Sequence, residues 1–293
     1  MDSLISIAFF MQTLRITIPY LLPSLGATFS EKGGVINIAL EGMLLFGAFF
    51  TTVGTYYTNN IGIGILCGIT GGIFLALVHS ITVITFKANQ IVSGIALNLM
   101  AFGTSKFLCK LIFNSSSNSA RISGLESFNI PFINNPFILL SLLAIIISQF
   151  VVNKTRFGLR LRAVGENPEA ADTLGINVTK IRYYGVLISG ALAGLGGAWL
   201  AFDQHSFTDG MSAGRGYIAL AAMIIGKWRP LPAALACLIF GFAESFTLQF
   251  QSSGIPTQFI QMLPYVVTIV VLAGFIGKST PPAADGIPFE KKD

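Results

Sequence analysis

The chain has 293 residues, of which 53% are hydrophobic and 11% charged, with a mean hydropathy of +0.73. A soluble domain carries roughly 25% charged residues, so this composition excludes a water-soluble globular protein. The net charge of +5 is not a nucleic-acid footprint, which needs a clustered basic face with stacking aromatics; these charges fall between apolar runs, where they set orientation in a membrane.

Lipid offers no partner for backbone N–H and C=O groups, so a spanning segment is a helix or a strand of a closed barrel. The apolar runs here are too long for barrel strands, which predicts an all-α polytopic bundle of about 8–10 spans in a single domain over 1–293. Spans are expected at 6–29, 36–55, 62–86, 90–112, 136–152, 183–202, a short 217–226, 231–250 and 259–277. The N-terminus lacks a basic leader and a small-residue cleavage site, so the first span is read as a retained helix.

In chain order, the first span carries Arg15 and the second opens on Asn37 and Glu41, four apart on one helical face. The third bears Gly64, Gly68 and Gly72 at the same spacing, a groove for close helix packing, and also His79. The fourth begins after Lys87 with Asn89, Gln90, Ser93 and Asn98. Polar and ionisable groups in lipid are costly and face the bundle interior or an aqueous path. Asn37, Glu41, Asn89, Gln90, Ser93 and Asn98 are therefore candidates to line a translocation pathway for a hydroxylated, heterocyclic solute. The alternative is that the same groups tie helices together, which is the preferred reading for Glu41 and for Glu244 in the eighth apolar run.

The NSSSNS stretch in 114–135 reads as a polar connector. The long loop 153–182 holds GLRLRAVGENPEAADTLGINVTKIR, whose middle specifies a short helix at both ends. Asn167 is a good N-cap and Pro168 fits the first helical position. Glu169 and Asp172 complement the helix dipole, and Gly175 suits the left-handed residue past the end. Pro168 to Leu174 would offer Ala170, Ala171 and Leu174 on one side, either as a plug for another protein's groove or as a surface helix on anionic lipid. Gly190, Gly194, Ala193 and Gly197 mark a further packing seam. Tyr217 to Gly226 is too short to cross and is read as a half-membrane helix, with Arg215 expected to anchor the outer interface.

Placing Lys32, Lys87, 153–182, Lys227, Arg229 and the tail 278–293 on one side gathers thirteen of the 18 lysines and arginines there, leaving Arg15, Lys106, Lys110, Arg121 and Arg215. The positive-inside rule makes that side cytoplasmic and the N-terminus external. Cys67, Cys109 and Cys237 stand alone inside apolar runs and read as small core residues. GKST at 277–280 lacks the upstream glycine of a phosphate loop and follows an apolar helix, so nucleotide binding is rejected. His79 and His205 form no HExxH pattern, no metal site is expected, and no catalytic residue stands out.

The stretches EKGGVINIALEGMLLFGAF at 31–49, ANQIVSGIALNLMAFG at 88–103 and GLRLRAVGENPEAADTLGIN at 158–177 carry a family resemblance. SGALAGLGGAWLAF at 189–202, GMSAGRGYIALAAMIIGKWRPLPAALACLIFGFAES at 210–245 and MLPYVVTIVVLAG at 262–274 extend it. Together they resemble the permease subunit of a bacterial ABC importer of the ribose and branched-chain amino acid permease superfamily, and are most similar to its nucleoside-uptake branch. The resemblance implies a noncatalytic subunit in the bacterial cell membrane, with no cofactor of its own, because ATP and magnesium are used by a partner ATPase. It implies a cytoplasmic coupling helix at Glu166, Asn167, Pro168, Glu169, Ala170, Ala171, Asp172, Thr173, Leu174 and Gly175. The implied partners are that ATPase, a second homologous permease, an extracytoplasmic substrate-binding lipoprotein and a nucleoside. A simple sugar is the alternative solute, and an ion-coupled carrier using Glu41 or Glu244 is the reading from another class.

Overall fold

The computed structural model describes residues 7–125, 135–250, 262, 266 and 279–291. The expected span at 259–277 lies almost wholly outside the described residues. Helices run α1 (Ile7–Lys32), α2 (Leu40–Thr58), α3 (Ile61–Ser80), α4 (Gln90–Phe113), α5 (Pro136–Lys154), α6 (Arg156–Glu166), α7 (Pro168–Thr173), α8 (Val178–Gln204), α9 (Arg215–Ile225) and α10 (Pro230–Phe250). A π-helical turn, Ile81–Thr85, continues α3. Among the described residues no strand forms, only an isolated bridge between Asn118 and Thr208. The all-α polytopic reading of the sequence holds.

Among the described residues, five helices are long and apolar enough to cross a membrane: α3 with its π turn, α4, α5, α8 and α10. α1 and α2 fall below that apolarity although they sit deepest. Every residue of α1 from Thr17 to Glu31 is buried, and so is every residue of α2 from Leu40 to Phe49. A helix wrapped by protein need not be lipophilic, so it tolerates Thr13, Thr17, Ser24, Thr28, Thr51 and Thr52. The outer helices turn Leu66, Phe74, Leu99, Phe107, Ile146 and Phe150 outward, as the lipid solvent demands.

The centre is a glycine seam between α2, α3 and α8, where the expected grooves at Gly68, Gly72, Gly190 and Gly194 meet. A Cβ on Gly47 would stand 2.6 Å from the Gly194 Cα, and one on Gly72 would stand 2.8 Å from the same atom. Three backbones are thus in contact, gaining dispersion where no hydrophobic force separates helix from lipid. Gly194→Leu is expected to cost about 3 kcal/mol, the upper end for overpacking, because backbone rather than movable side chains surrounds it. Gly103→Leu, at a site with nothing within 4 Å, should leave the detergent melting temperature unchanged. Equal melting temperatures for the two variants would reject the seam.

The two ends of the bundle differ. At one, Arg15 pairs with Asp203 at 2.7 Å and Lys106 with Asp209 at 3.1 Å, and the 115–122 loop bonds to 205–209. At the other, the ends of α1 and α3, all of α6 and α7, the start of α8, the α9–α10 turn and residues 279–291 come together.

Candidate functional site

Between α1 and α2 the chain leaves helical geometry at Gly33–Ala39, so its backbone groups need partners from elsewhere. Ser30 supplies some: its carbonyl accepts from Gly33 and Val35 N–H, and its hydroxyl donates to the Val35 carbonyl at 2.7 Å. The rest come from the polar residues singled out in the sequence. Gln90 Oε1 accepts the Ile36 N–H at 2.7 Å, and His79 Nε2 lies 3.0 Å from the Ile36 carbonyl. A carbonyl only accepts, so Nε2 carries the proton and Nδ1 accepts from Ser93 Oγ at 3.0 Å. Asn98 spans the end of the break, donating to the Ile38 carbonyl at 3.0 Å and accepting from Gly42 N–H at 2.8 Å. It also donates to the Tyr217 hydroxyl of α9 at 2.9 Å. Asn37 donates to Ser189 Oγ on α8 at 2.9 Å, while its own Oδ1 is buried without a hydrogen-bond partner.

Glu41, 1% exposed, performs the second task. α9 starts inside the bundle at Gly214, whose φ of +81° suits a glycine. The first N–H groups of a helix have no internal acceptors. The two Glu41 oxygens take them from Gly214 at 2.8 Å and Gly216 at 2.7 Å, with negative charge at the positive end of the helix dipole. Gly216 is what lets α9 come so near: a Cβ there would meet the Glu41 Cα at 2.6 Å.

The structure therefore brings Asn37, Gln90, Ser93 and Asn98 together around one break and sets Glu41 beside it on the half-helix. It leaves Asn89 apart, an exposed residue that caps α4 by accepting from Ile91 and Val92 N–H at 3.0 and 3.1 Å. Arg215 is not an interfacial anchor. Its guanidinium donates to Glu244 at 2.9 Å, lies 6.0 Å from the Tyr20 ring, and shares Glu244 with the Tyr20 hydroxyl. The reason is proximity across α1, α9 and α10: a carboxylate on α10 offers more than the headgroup region when both groups are about one-fifth exposed.

At the basic end, α7 forms as its sequence predicts. Asn167 Oδ1 accepts the Ala170 N–H at 2.9 Å, Gly175 has φ +77°, and Ile176 N–H closes back on the Ala171 carbonyl at 3.1 Å. The helix ends one residue earlier than expected, at Thr173. One expectation is corrected: Ala171 does not share an outward face with Ala170 and Leu174. It is 2% exposed among Phe29, Val152, Leu161, Val164, Val178 and Ile181, whereas Leu174 is 81% exposed. A six-residue helix attached to a bundle must bury one side, and Ala171 is the small residue that fits there.

Sequence reasoning missed α6, which precedes α7. Its signal was the apolar spacing Gly158, Leu161, Val164, Gly165, the residues it buries, with Thr155 Oγ1 capping Gly158 N–H at 3.1 Å. Also missed was Glu31, which accepts from the Trp228 indole at 2.6 Å and so joins α1 to the α9–α10 turn. Residues 279–291 cross this end as a strap. Ala284 N–H donates to the Gly165 carbonyl at 2.9 Å, Arg182 to the Ile287 carbonyl at 2.8 Å, and Lys87 to Glu290 at 2.8 Å. Burial pushes the Asp285 carboxyl up to about 7, against the pull of the Arg182 guanidinium. Glu290, exposed beside Lys87, is held below its usual value. Among the described residues, no group of three or more His, Cys, Asp and Glu is arranged to hold a metal.

The family model for the branched-chain amino acid transport system permease component matches residues 9–272, which takes in the break, α7 and α9. The chain is 39% identical to the guanosine ABC transporter permease protein NupQ of Bacillus subtilis, with 95% of each chain covered. It is 41% identical to the nucleoside ABC transporter permease protein NupC of Lactococcus lactis, with 93% of each covered. A second Bacillus subtilis protein, the guanosine ABC transporter permease protein NupP, is 26% identical, over 90% of this chain and 81% of that one. The fold is similar to that of a solved structure described as a metal-chelate type ABC transporter in an inward-facing conformation. There the TM-score is 0.52 at 14% identity, covering 90% of this chain and 84% of the other. A membrane-spanning helix set, a family match over most of the length and full-length relatives agree: the chain is a multi-pass membrane protein that belongs to the branched-chain amino acid transport system permease component family.

Proposed function

We propose that this chain is the noncatalytic membrane subunit of an ATP-driven importer for nucleosides, moved by a separate ATPase that docks on α7 from the cytoplasm. The observation that carries the substrate is the likeness, over 95% of the length of both chains, to a protein named for guanosine transport. Docking is supported by an exposed, doubly capped helix at the end of the bundle where most lysines and arginines gather. A rigid plug loses little entropy on entering a groove. The likeness to both NupQ and NupP, two different permeases of one organism, supports a second, nonidentical permease beside this one. An extracytoplasmic binding lipoprotein completes the expected assembly.

The buried polar cluster supports an ATP-driven machine over an ion-coupled carrier. Glu41 has both oxygens committed to the α9 N-terminus and Glu244 is paired with Arg215 and Tyr20. Neither is left to exchange a proton. Groups able to meet a solute's ribose and base lie nearby in Asn37, whose Oδ1 is unspent, and in Gln90, Ser93 and Asn98, which form the proposed pathway wall, while Asn89 stands apart from them as the cap of α4. Cells lacking the chain should lose uptake of labelled guanosine while keeping uptake of labelled ribose. Loss of ribose uptake alone would move the assignment to simple sugars. Uptake by the purified chain in vesicles under an ion gradient, with no ATPase, would reject it.

A further inference from the structure

The strap 279–291 touches both the docking region and the helix break, which also meet directly where a Cβ on Gly33 would stand 3.0 Å from Leu161 Cδ1 of α6. On the docking side, Ala284 N–H bonds to the Gly165 carbonyl at the end of α6, and Ala283 N–H lies 3.4 Å from Glu166 Oε2. Phe289 packs on the apolar cluster that holds Ala171, and Phe289 and Glu290 wall a groove of about 140 Å³ with Glu169, Asp172 and Thr173 of α7. On the other side, the Ala284 carbonyl comes so near Gly34 that a Cβ there would stand 3.0 Å from it. A Cβ on Gly286 would stand 2.8 Å from Ile36 Cδ1. Ile36 is the residue whose backbone is gripped by Gln90 and His79. Contacts therefore run without a gap from α7 through the strap to Ile36, and from the break through Asn98 to Tyr217 of α9.

A transmitting element also needs two arrangements rather than one. The joint between α8 and the strap holds unspent hydrogen-bonding capacity. Arg182 is 2% exposed, yet its Nε and Nη2 have no hydrogen-bond partner, and Asp285 Oδ1 on the strap is likewise buried and unpartnered. Orphaned charged groups are costly, so a slide of the strap that pairs them offers a second arrangement at little expense. The groups facing this joint are Glu31 from α1, Arg182 from α8 and Asp285 itself.

We propose that the strap transmits motion from the motor-docking helix to the break at Gly33–Ala39, with Ala284, Asp285 and Arg182 as positioning residues for transport. This rests on the reading of α7 as the docking site. The test uses the full complex with its ATPase and second permease, and reads hydrogen exchange in a peptide covering residues 30–40 with and without a nonhydrolysable ATP analogue. Three chains are compared: wild type, a truncation removing 280–293, and Ala284→Pro, which deletes a single N–H.

In wild type the nucleotide should change exchange at 30–40. In both variants that change should shrink about tenfold, inside the 5–150-fold span of common couplings, while ATPase copurification holds in both and the melting temperature holds in Ala284→Pro. Should the truncated chain fail to insert, Ala284→Pro decides alone. An undiminished nucleotide response in Ala284→Pro, or loss of the ATPase from it, overturns the strap while leaving the docking reading intact. A wild-type chain that binds no ATPase overturns both.

Discussion

The double variant Ala170→Arg, Leu174→Glu is expected to lose the ATPase proposed to dock on α7 while inserting and melting like wild type. Both side chains point away from the bundle, with Leu174 81% exposed. Surface substitutions of this kind typically cost no more than about 0.5 kcal/mol in stability. A leucine seated in a partner's groove is different, because a desolvated anchor there contributes about 2 kcal/mol or more, and a charge forced into the groove at the alanine costs at least a comparable amount. Two such losses weaken binding by about a thousandfold, since each 1.4 kcal/mol is a factor of ten. Pull-down of the ATPase and the thermal melt of the permease are the paired measurements. Retained pull-down would mean that the motor grips elsewhere. Ala171→Arg is the wrong probe for this purpose: it would force a charge among Phe29, Leu161, Val164 and Ile181, and any lost binding would reflect a collapsed end of the bundle.

Glu41→Ala should destabilise the chain by about 1–6 kcal/mol, the cost of leaving the buried Gly216 N–H and the part-buried Gly214 N–H without acceptors at up to about 3 kcal/mol apiece. With marginal total stability of about 5–15 kcal/mol, that approaches loss of the fold. Glu41→Gln keeps one accepting oxygen and should recover part of the melting temperature and, with it, part of the transport. The pair of variants separates structural from chemical roles. A carboxyl group that carried protons would show the reverse pattern in Glu41→Gln, with an unchanged melt and no transport. The cause of the expected instability is local: Gly216 N–H lies buried at the start of α9, where no water is at hand to replace the Glu41 oxygen.

Both predictions turn on which side of a short element a residue occupies, and that is where sequence reading was weakest. The caps of α7 were legible because Asn167, Pro168 and Gly175 act on the backbone within a few residues of themselves. The split between Ala170 and Ala171 was not, since it depends on where Phe29 and Val178, far apart in the chain, leave room for a methyl group. α6 carried a readable apolar spacing that was overlooked beside the stronger cap signals. Arg215 was misplaced for a similar reason, because its partner Glu244 stands 29 residues further on and meets it only after α10 folds back.

Asn98 was recognised as costly in lipid, but nothing in its neighbourhood announces that it would bridge the Ile38 carbonyl, Gly42 and Tyr217. The glycine stripes were read as grooves, and the structure supplies what fills them: Gly68, Gly72, Gly190, Gly194 and Gly197 each face another glycine's backbone on a different helix, and Gly64 faces Thr51 and Thr55.

The sequence by itself determined that the chain lives in lipid, roughly where it crosses, which loops carry the positive charge and where a capped helix interrupts the largest loop. Each of these follows from interactions between a segment and its solvent, or between a side chain and its own backbone. Tertiary structure alone decided which polar groups close the break between α1 and α2, what caps α9 and what the strap touches. Those answers depend on distances between helices that are remote in the chain, and in a medium without water every buried donor must find its acceptor across them.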